Sequence, residues 1–171
     1  MENFTNETLD TTKLPKFEEV QFTALQATYW KVMLINKSIV FSILAIGLFF
    51  VFYKIDEILE FKLQTFFVFI FLIFLTILLS RISFKKKGFA FRNHDVIYRS
   101  GIIATNTIVI PYNRVQHVAL HEGLISRYFG LAKIEIFTAG GSSSDIEIPG
   151  IAKNEAENIK QLLMGKIQKQ L

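Results

Sequence analysis

The sequence predicts an α+β membrane protein: a two-helix transmembrane hairpin followed by a small antiparallel β barrel or sandwich that a C-terminal helix caps. Three observations carry this. Two uncharged apolar runs lie nine residues apart in the first half, apolar and polar residues alternate from Phe89 onward, and the last segment returns to a helical period. Hydrophobic residues make up 51% of the 171 and charged residues 20%, so the two kinds must be segregated along the chain. The absence of cysteine excludes disulfide scaffolds, thiolate zinc sites and cysteine nucleophiles, and it fits a reducing, cytoplasmic setting for the soluble part.

Residues 1–15, polar and rich in Thr and Asn, are expected to be disordered. Over 16–31 a thin stripe of Phe17, Val20, Ala24 and Ala27 predicts an interfacial helix. The first transmembrane helix is placed at 32–54. Its charge-free part, Ser38 to Tyr53, is short of the roughly 20 residues a span needs, so it extends back through Val32, with Lys37 snorkelling and Tyr29 and Trp30 at the interface. An external loop is expected at 55–62 and the second transmembrane helix at 63–81. Neither run has polar positions at helical spacing, and the chain is too short to bury two such helices in a core of its own, so lipid is their expected surrounding.

Orientation follows from Lys and Arg near the spans. The linker holds Lys54 and Lys62, whereas the other side holds Lys31, Lys37, Arg81, Lys85, Lys86, Lys87 and Arg92, which places both termini and the soluble domain in the cytoplasm. The expected location is therefore the cell (plasma or inner) membrane, as a multi-pass protein. An acidic stretch ahead of the first run, with no small-residue cleavage pattern after it, is not what a cleaved signal peptide looks like. Residues 1–30 hold two basic and five acidic side chains and residues 63–171 hold 13 and seven, so the basic excess belongs to the soluble half.

Over 88–168 the pairs Phe89/Phe91, Val96/Tyr98, Ile108/Ile110, Ile134/Ile136 and Ile146/Ile148 mark half-buried strands. Turns are expected at Asn93-His94-Asp95, Gly101, Thr105-Asn106, His121-Glu122-Gly123, Ala139-Gly140-Gly141-Ser142 and Pro149-Gly150. About six short strands at this spacing argue for an antiparallel barrel or bent sandwich. Ala156, Ile159, Leu163 and Ile167 then trace the core-facing stripe of a helix, with Asn154 and Glu157 at capping-box spacing.

The segments Lys87-Gly88-Phe89-Ala90-Phe91-Arg92, Ile110-Pro111-Tyr112-Asn113-Arg114-Val115-Gln116-His117-Val118, Arg127-Tyr128-Phe129-Gly130-Leu131-Ala132, Thr138-Ala139-Gly140-Gly141 and Ile148-Pro149-Gly150 come in this order. Together they resemble the bacterial pleckstrin-homology (PH) like family, once known only as a domain of unknown function. The chain is similar in particular to short YdbS-like members with two transmembrane helices and one such domain. The resemblance implies a membrane-tethered PH-like barrel, often accompanied by a larger membrane protein with several copies of the domain. It implies no catalytic residue and no cofactor.

Candidate sites are few. Lys85, Lys86 and Lys87, with Arg92, form a basic juxtamembrane group that either holds that end of the span inside or draws the domain to anionic lipid. Arg114 and Arg127 sit among apolar residues and are candidates for loop-fixing or partner-binding roles. Lys87 to Phe91 matches half of an RNA-recognition signature, but Arg92 and His94 break the other half, so Phe89 and Phe91 are expected to face the core and no nucleic acid is expected. His117 and His121 are too far apart along a strand to share a metal ion. The run Gly140 to Asp145 reads as a hairpin turn, with ligand binding as the alternative, and Asp145 and Glu147 are expected on the solvent face. No small-molecule substrate is identified. The expected partners are the lipid bilayer and another membrane protein, in a non-enzymatic interaction role; the alternative is a lipid-sensing or membrane-organising domain acting through the basic face.

Overall fold

A computed structural model describes Thr8, Asp10 and residues 19–54, 59–140 and 145–168. The N-terminal stretch expected to be disordered lies almost wholly outside these residues. Two long helices, α1 (Tyr29–Lys54) and α2 (Leu59–Lys86), precede the β domain. At 1.5 Å per residue they measure about 39 and 42 Å, against a hydrocarbon core of about 30 Å. Both are long and apolar enough to cross a membrane. Two of their polar side chains bond within the helix: the Thr65 hydroxyl donates to Phe61 O at 2.9 Å and the Ser80 hydroxyl to Thr76 O. Both helices run past the expected bounds. Leu59 to Lys62, expected in the loop, form the first turn of α2, because that stretch contains no helix breaker.

Of the helix expected over 16–31, the described residues form only the last part, Tyr29 to Lys31, as the start of α1. Thr23–Ala24 make a short strand, β1, antiparallel to the start of β2 (Gly88–Phe91), with Thr23 opposite Phe89. The apolar stripe was too thin to hold a helix against an open strand edge that offered backbone hydrogen bonds, and Leu25 gains a place in the core at 5% exposure.

The domain has two antiparallel sheets. One is ordered β1-β2-β3-β4, with β3 at Asp95–Ser100 and β4 at Asn106–Pro111; the other is ordered β5-β6-β7, with β5 at Val115–His121, β6 at Leu131–Thr138 and β7 at Ile146–Ala152. They are not closed into a barrel, so the sandwich is the form adopted. Between β5 and β6 lies a short helix, α3 (Leu124–Tyr128), and α4 (Lys153–Gln168) ends the fold. Val96, Ile134, Ile136, Ile146, Ile148 and Leu163 are fully buried between the layers, and α4 closes one end over β5, β6 and β7.

Two local expectations change. Pro149-Gly150 is not a turn: it lies inside β7, where Gly150 takes φ +66° opposite a register shift between Ala132 and Ile134, the mark of a bulge. Asn154 is not a helix cap, since β7 runs directly into α4 and the Lys153 N–H already donates to Gly130 O at 2.9 Å.

Candidate functional site

The junction between the hairpin and the β domain is a packed interface. The Gln26 N–H donates to Gly150 O at 2.9 Å, and the Tyr29 ring lies so close over Gly150 that a Cβ there would come 2.4 Å from Tyr29 Cγ. Only a glycine lets the start of α1 seat on the sheet. Val32 is 1% exposed. From α2, Phe84 packs against Tyr29 and Trp30, with centroids 6.5 and 6.0 Å apart, and the Arg81 guanidinium stands 5.0 Å above the Trp30 ring. No flexible linker intervenes, since Lys87 alone separates α2 from β2.

This packing divides the basic group. Lys85 is exposed and has no hydrogen-bond or ion-pair partner among the described residues. Lys86 is exposed but donates from Nζ to Ile102 O in the β3–β4 loop at 2.7 Å. Lys87 is half-buried at the foot of β2, where burial pushes its pKa below the usual lysine value and nearby Glu147 pulls part of the way back. Arg92 is not brought together with them. It lies at the other end of β2, about 17 Å away along an extended strand, and grips Asp95 with two bonds, Nε to Oδ1 at 2.6 Å and Nη2 to Oδ2. Its carbonyl accepts the Tyr112 hydroxyl at 2.6 Å, so Arg92 organises the β2–β3 turn.

Arg114 and Arg127 are both exposed, and neither has a side-chain partner among the described residues. Arg114 ends the 3-10 turn Tyr112–Arg114 and borders an open groove of about 330 Å³ lined by Ile108, Val109, Ile110, Pro111, Thr138 and Gly140. This groove runs beside β4, which no other strand covers on its outer side among the described residues. Arg127 lies on α3, against which the start of α1 packs.

The remaining polar features are absorbed by the fold. Phe89 is buried and meets half-buried Phe91 edge-on at 5.8 Å, so the pair packs inward and presents no base-stacking face. His117 stacks on Phe137 at 4.1 Å. His121 Nε2 is 3.0 Å from Glu135, which also neighbours Lys133, a cross-strand charge network that linear spacing did not disclose. Among the described residues no group of three His, Cys, Asp or Glu is placed to hold a metal ion. Asp145 turns inward to accept the Thr138 N–H at 2.8 Å, whereas Glu147 stays on the outer face. Most of the Gly-rich ligand-loop candidate, residues 141–144, lies outside the described residues. Among the described residues, this surface presents an open strand edge beside the Arg114 guanidinium, and a basic end beside the hairpin.

Comparison with known proteins agrees with this architecture. Residues 38–167 match the family model of the bacterial PH domain, so the match takes in most of α1, all of α2 and strands β2 to β7. The chain is 26% identical over 83 residues to the UPF0699 transmembrane protein YdbS of Bacillus subtilis (strain 168), covering 48% of this chain and 50% of that one. It is 32% identical over 85 residues to the UPF0699 transmembrane protein YdbT of the same organism, covering 48% of this chain but 17% of the relative. The chain thus spans half the length of one curated relative and a smaller part of the other. No solved structure matches it. With the matched region covering most of the sequence and the sandwich and closing helix in place, the chain belongs to the bacterial PH domain family.

Proposed function

We propose that the protein is a membrane-anchored, non-enzymatic interaction module. Its hairpin crosses the cell membrane, its β domain and both termini lie in the cytoplasm, and it assembles with another membrane protein. The observation that carries this is the open edge of β4 beside Arg114. An uncovered strand edge exposes a row of backbone donors and acceptors, which proteins either protect or use to bind an added strand. Here the edge borders a groove with an apolar wall and, at its rim, a guanidinium with no side-chain partner among the described residues, a fit for an extended segment carrying a carboxylate. The resemblance to YdbS-like proteins supports a larger, multi-copy relative as that partner. The lipid-sensing alternative has less to draw on, because Lys86, Lys87 and Arg92 are each held by the fold.

The test is purification of the full chain in mild detergent, identification of the co-purifying membrane protein, and repetition with Arg114→Glu and with a photo-crosslinker at Val109. We expect the crosslink to reach that protein and Arg114→Glu to lose it while thermal melting stays unchanged. Full retention by Arg114→Glu would refute the reading. Reporter fusions at Leu171 and within 56–59 test the orientation, and export of the C-terminal reporter would reverse it.

A further inference from the structure

Outside the two long helices, three large apolar side chains stand almost fully exposed among the described residues: Ile103 at 96%, Tyr128 at 86% and Leu124 at 81%, with Leu162 next at 46%. Isolated exposed apolar residues need no explanation. The placement of these three does, because all lie at the hairpin end of the domain.

Ile103 tips the loop between β3 and β4. That loop has a fixed shape: Gly101 takes φ +132°, and a Cβ there would stand 1.9 Å from Ala104 O, so only glycine closes it. The loop is tied to α2 through the bond from Lys86 to Ile102 O. Lys86 lies six residues, about 9 Å, beyond Ser80, the last residue of the apolar run. The polar layer outside the hydrocarbon is about 5–7 Å deep on each side. The carbonyl that Lys86 holds therefore lies at the outer edge of the headgroup layer, next to the uncharged stretch Ile102-Ile103-Ala104.

On the other side, α3 packs against α1. Its Leu124, Arg127 and Tyr128 stand at i, i+3 and i+4, so they share one face, and all three are exposed. A leucine, a cation and a phenol on one short face is the composition that a membrane interface accommodates: apolar body inward, polar tips outward.

We propose that the hairpin end of the β domain rests on the bilayer surface, with Ile103 entering the headgroup layer on the α2 side and Leu124 and Tyr128 entering it on the α1 side. Arg127 and Lys85 then face anionic headgroups. This rests on the reading that the hairpin crosses the membrane. The occupant is lipid because the helices bring it there: with one residue between α2 and β2, and with Tyr29 seated on Gly150, the domain has no slack with which to stand away.

The chain has no cysteine, so single-cysteine variants of the full protein can carry spin labels without further change. Labels at Ile103→Cys and Tyr128→Cys, at Lys160→Cys on the exposed side of α4, and at Ile43→Cys and Phe71→Cys within the helices would be compared in nanodiscs of mixed anionic and zwitterionic lipid. Dissolved oxygen serves as the lipid-partitioning collider and a nickel chelate as the aqueous one. We expect the oxygen-to-chelate accessibility ratio at positions 103 and 128 to lie between the high values at 43 and 71 and the low value at 160. If 43 and 71 favour oxygen but either 103 or 128 behaves like 160, the docking is wrong and the hairpin stands. Aqueous behaviour at 43 and 71 sinks both. Shielding of 103 and 128 from both colliders would mean that protein covers them and would also overturn the proposal.

Discussion

The hairpin and the β domain use apolar side chains in opposite ways. Of 28 exposed large hydrophobic residues among those described, 22 lie on α1 and α2, whereas the β domain encloses Ile134, Ile136, Ile148 and Leu163 completely. The sandwich satisfies its hydrophobic surface internally. The hairpin leaves its surface for a solvent that the chain does not supply. Stability in one region is thus a matter of packing, and in the other of what surrounds it.

The largest expected effects test that division. Leu163→Asp places a carboxylate in a fully enclosed site and should cost about 4 kcal/mol or more of β-domain stability. Leu44→Asp, at a position 53% exposed on α1, should leave β-domain melting within about 0.5 kcal/mol of the parent, while making span insertion about 3–4 kcal/mol harder. Melting by near-ultraviolet circular dichroism in detergent reads the first, and membrane integration reads the second. Equal destabilisation of the β domain by both variants would erase the distinction between the regions.

The seam between the regions comes next. Gly150→Ala should cost about 2–4 kcal/mol, combining a left-handed backbone that a side chain resists with a Cβ forced onto Tyr29. Trp30, the single tryptophan, follows Tyr29 at the base of the hairpin and packs on Phe84 and Arg81 of α2, so its emission should shift red if α1 lifts away from both the sheet and α2. An unchanged emission maximum would show that the contact does not hold the regions together.

What the sequence disclosed follows the same division. Hairpin, alternating strands and closing helix were legible because each is a period repeated over many residues, and a few misplaced residues do not hide a period. Two elements were not. β1 is two residues long and exists only because β2 presents an edge. β5 carries burial that does not alternate, since its register slips between Val115 and His117. The site was less legible than the fold. Lys85, Lys86 and Lys87 are identical in sequence character, yet the structure leaves one without a partner among the described residues, gives one a carbonyl and half-buries the third. Arg92 looked like a fourth member until Asp95, three residues on, took it.

Alkaline pH gives a smaller effect on the enclosed region. Burial pushes the Tyr98 hydroxyl up to about 12, with Tyr29 and Glu147 adding to it. The folded state therefore keeps a proton that the unfolded chain releases near 10. Stability should be intact below pH 10 and fall on the order of 2 kcal/mol as pH rises toward 12. Tyr98→Phe should flatten that fall in urea melts at pH 9 to 11.5, and an equal slope in the variant would remove Tyr98 as its source.

The smallest effects separate neighbouring lysines that the sequence cannot tell apart. Lys85 is exposed at the end of α2, so Lys85→Gln should leave folding unchanged and weaken attraction to anionic bilayers by about 1 kcal/mol, less as salt rises. Lys87 behaves the other way. Burial lowers its pKa in the fold, so at neutral pH the folded state carries an ammonium it disfavours, and stability rises as pH climbs through the folded pKa toward 10.5. Lys87→Met keeps the stem and removes the charge, so it should be neutral or stabilising by up to about 0.5 kcal/mol at pH 7 and should abolish that alkaline rise. Vesicle flotation and urea melts on the two variants would show it. If Lys87→Met instead weakened flotation as much as Lys85→Gln did and left stability untouched, Lys87 would belong to the bilayer-facing surface, and the boundary between the two regions would lie one residue further along the chain.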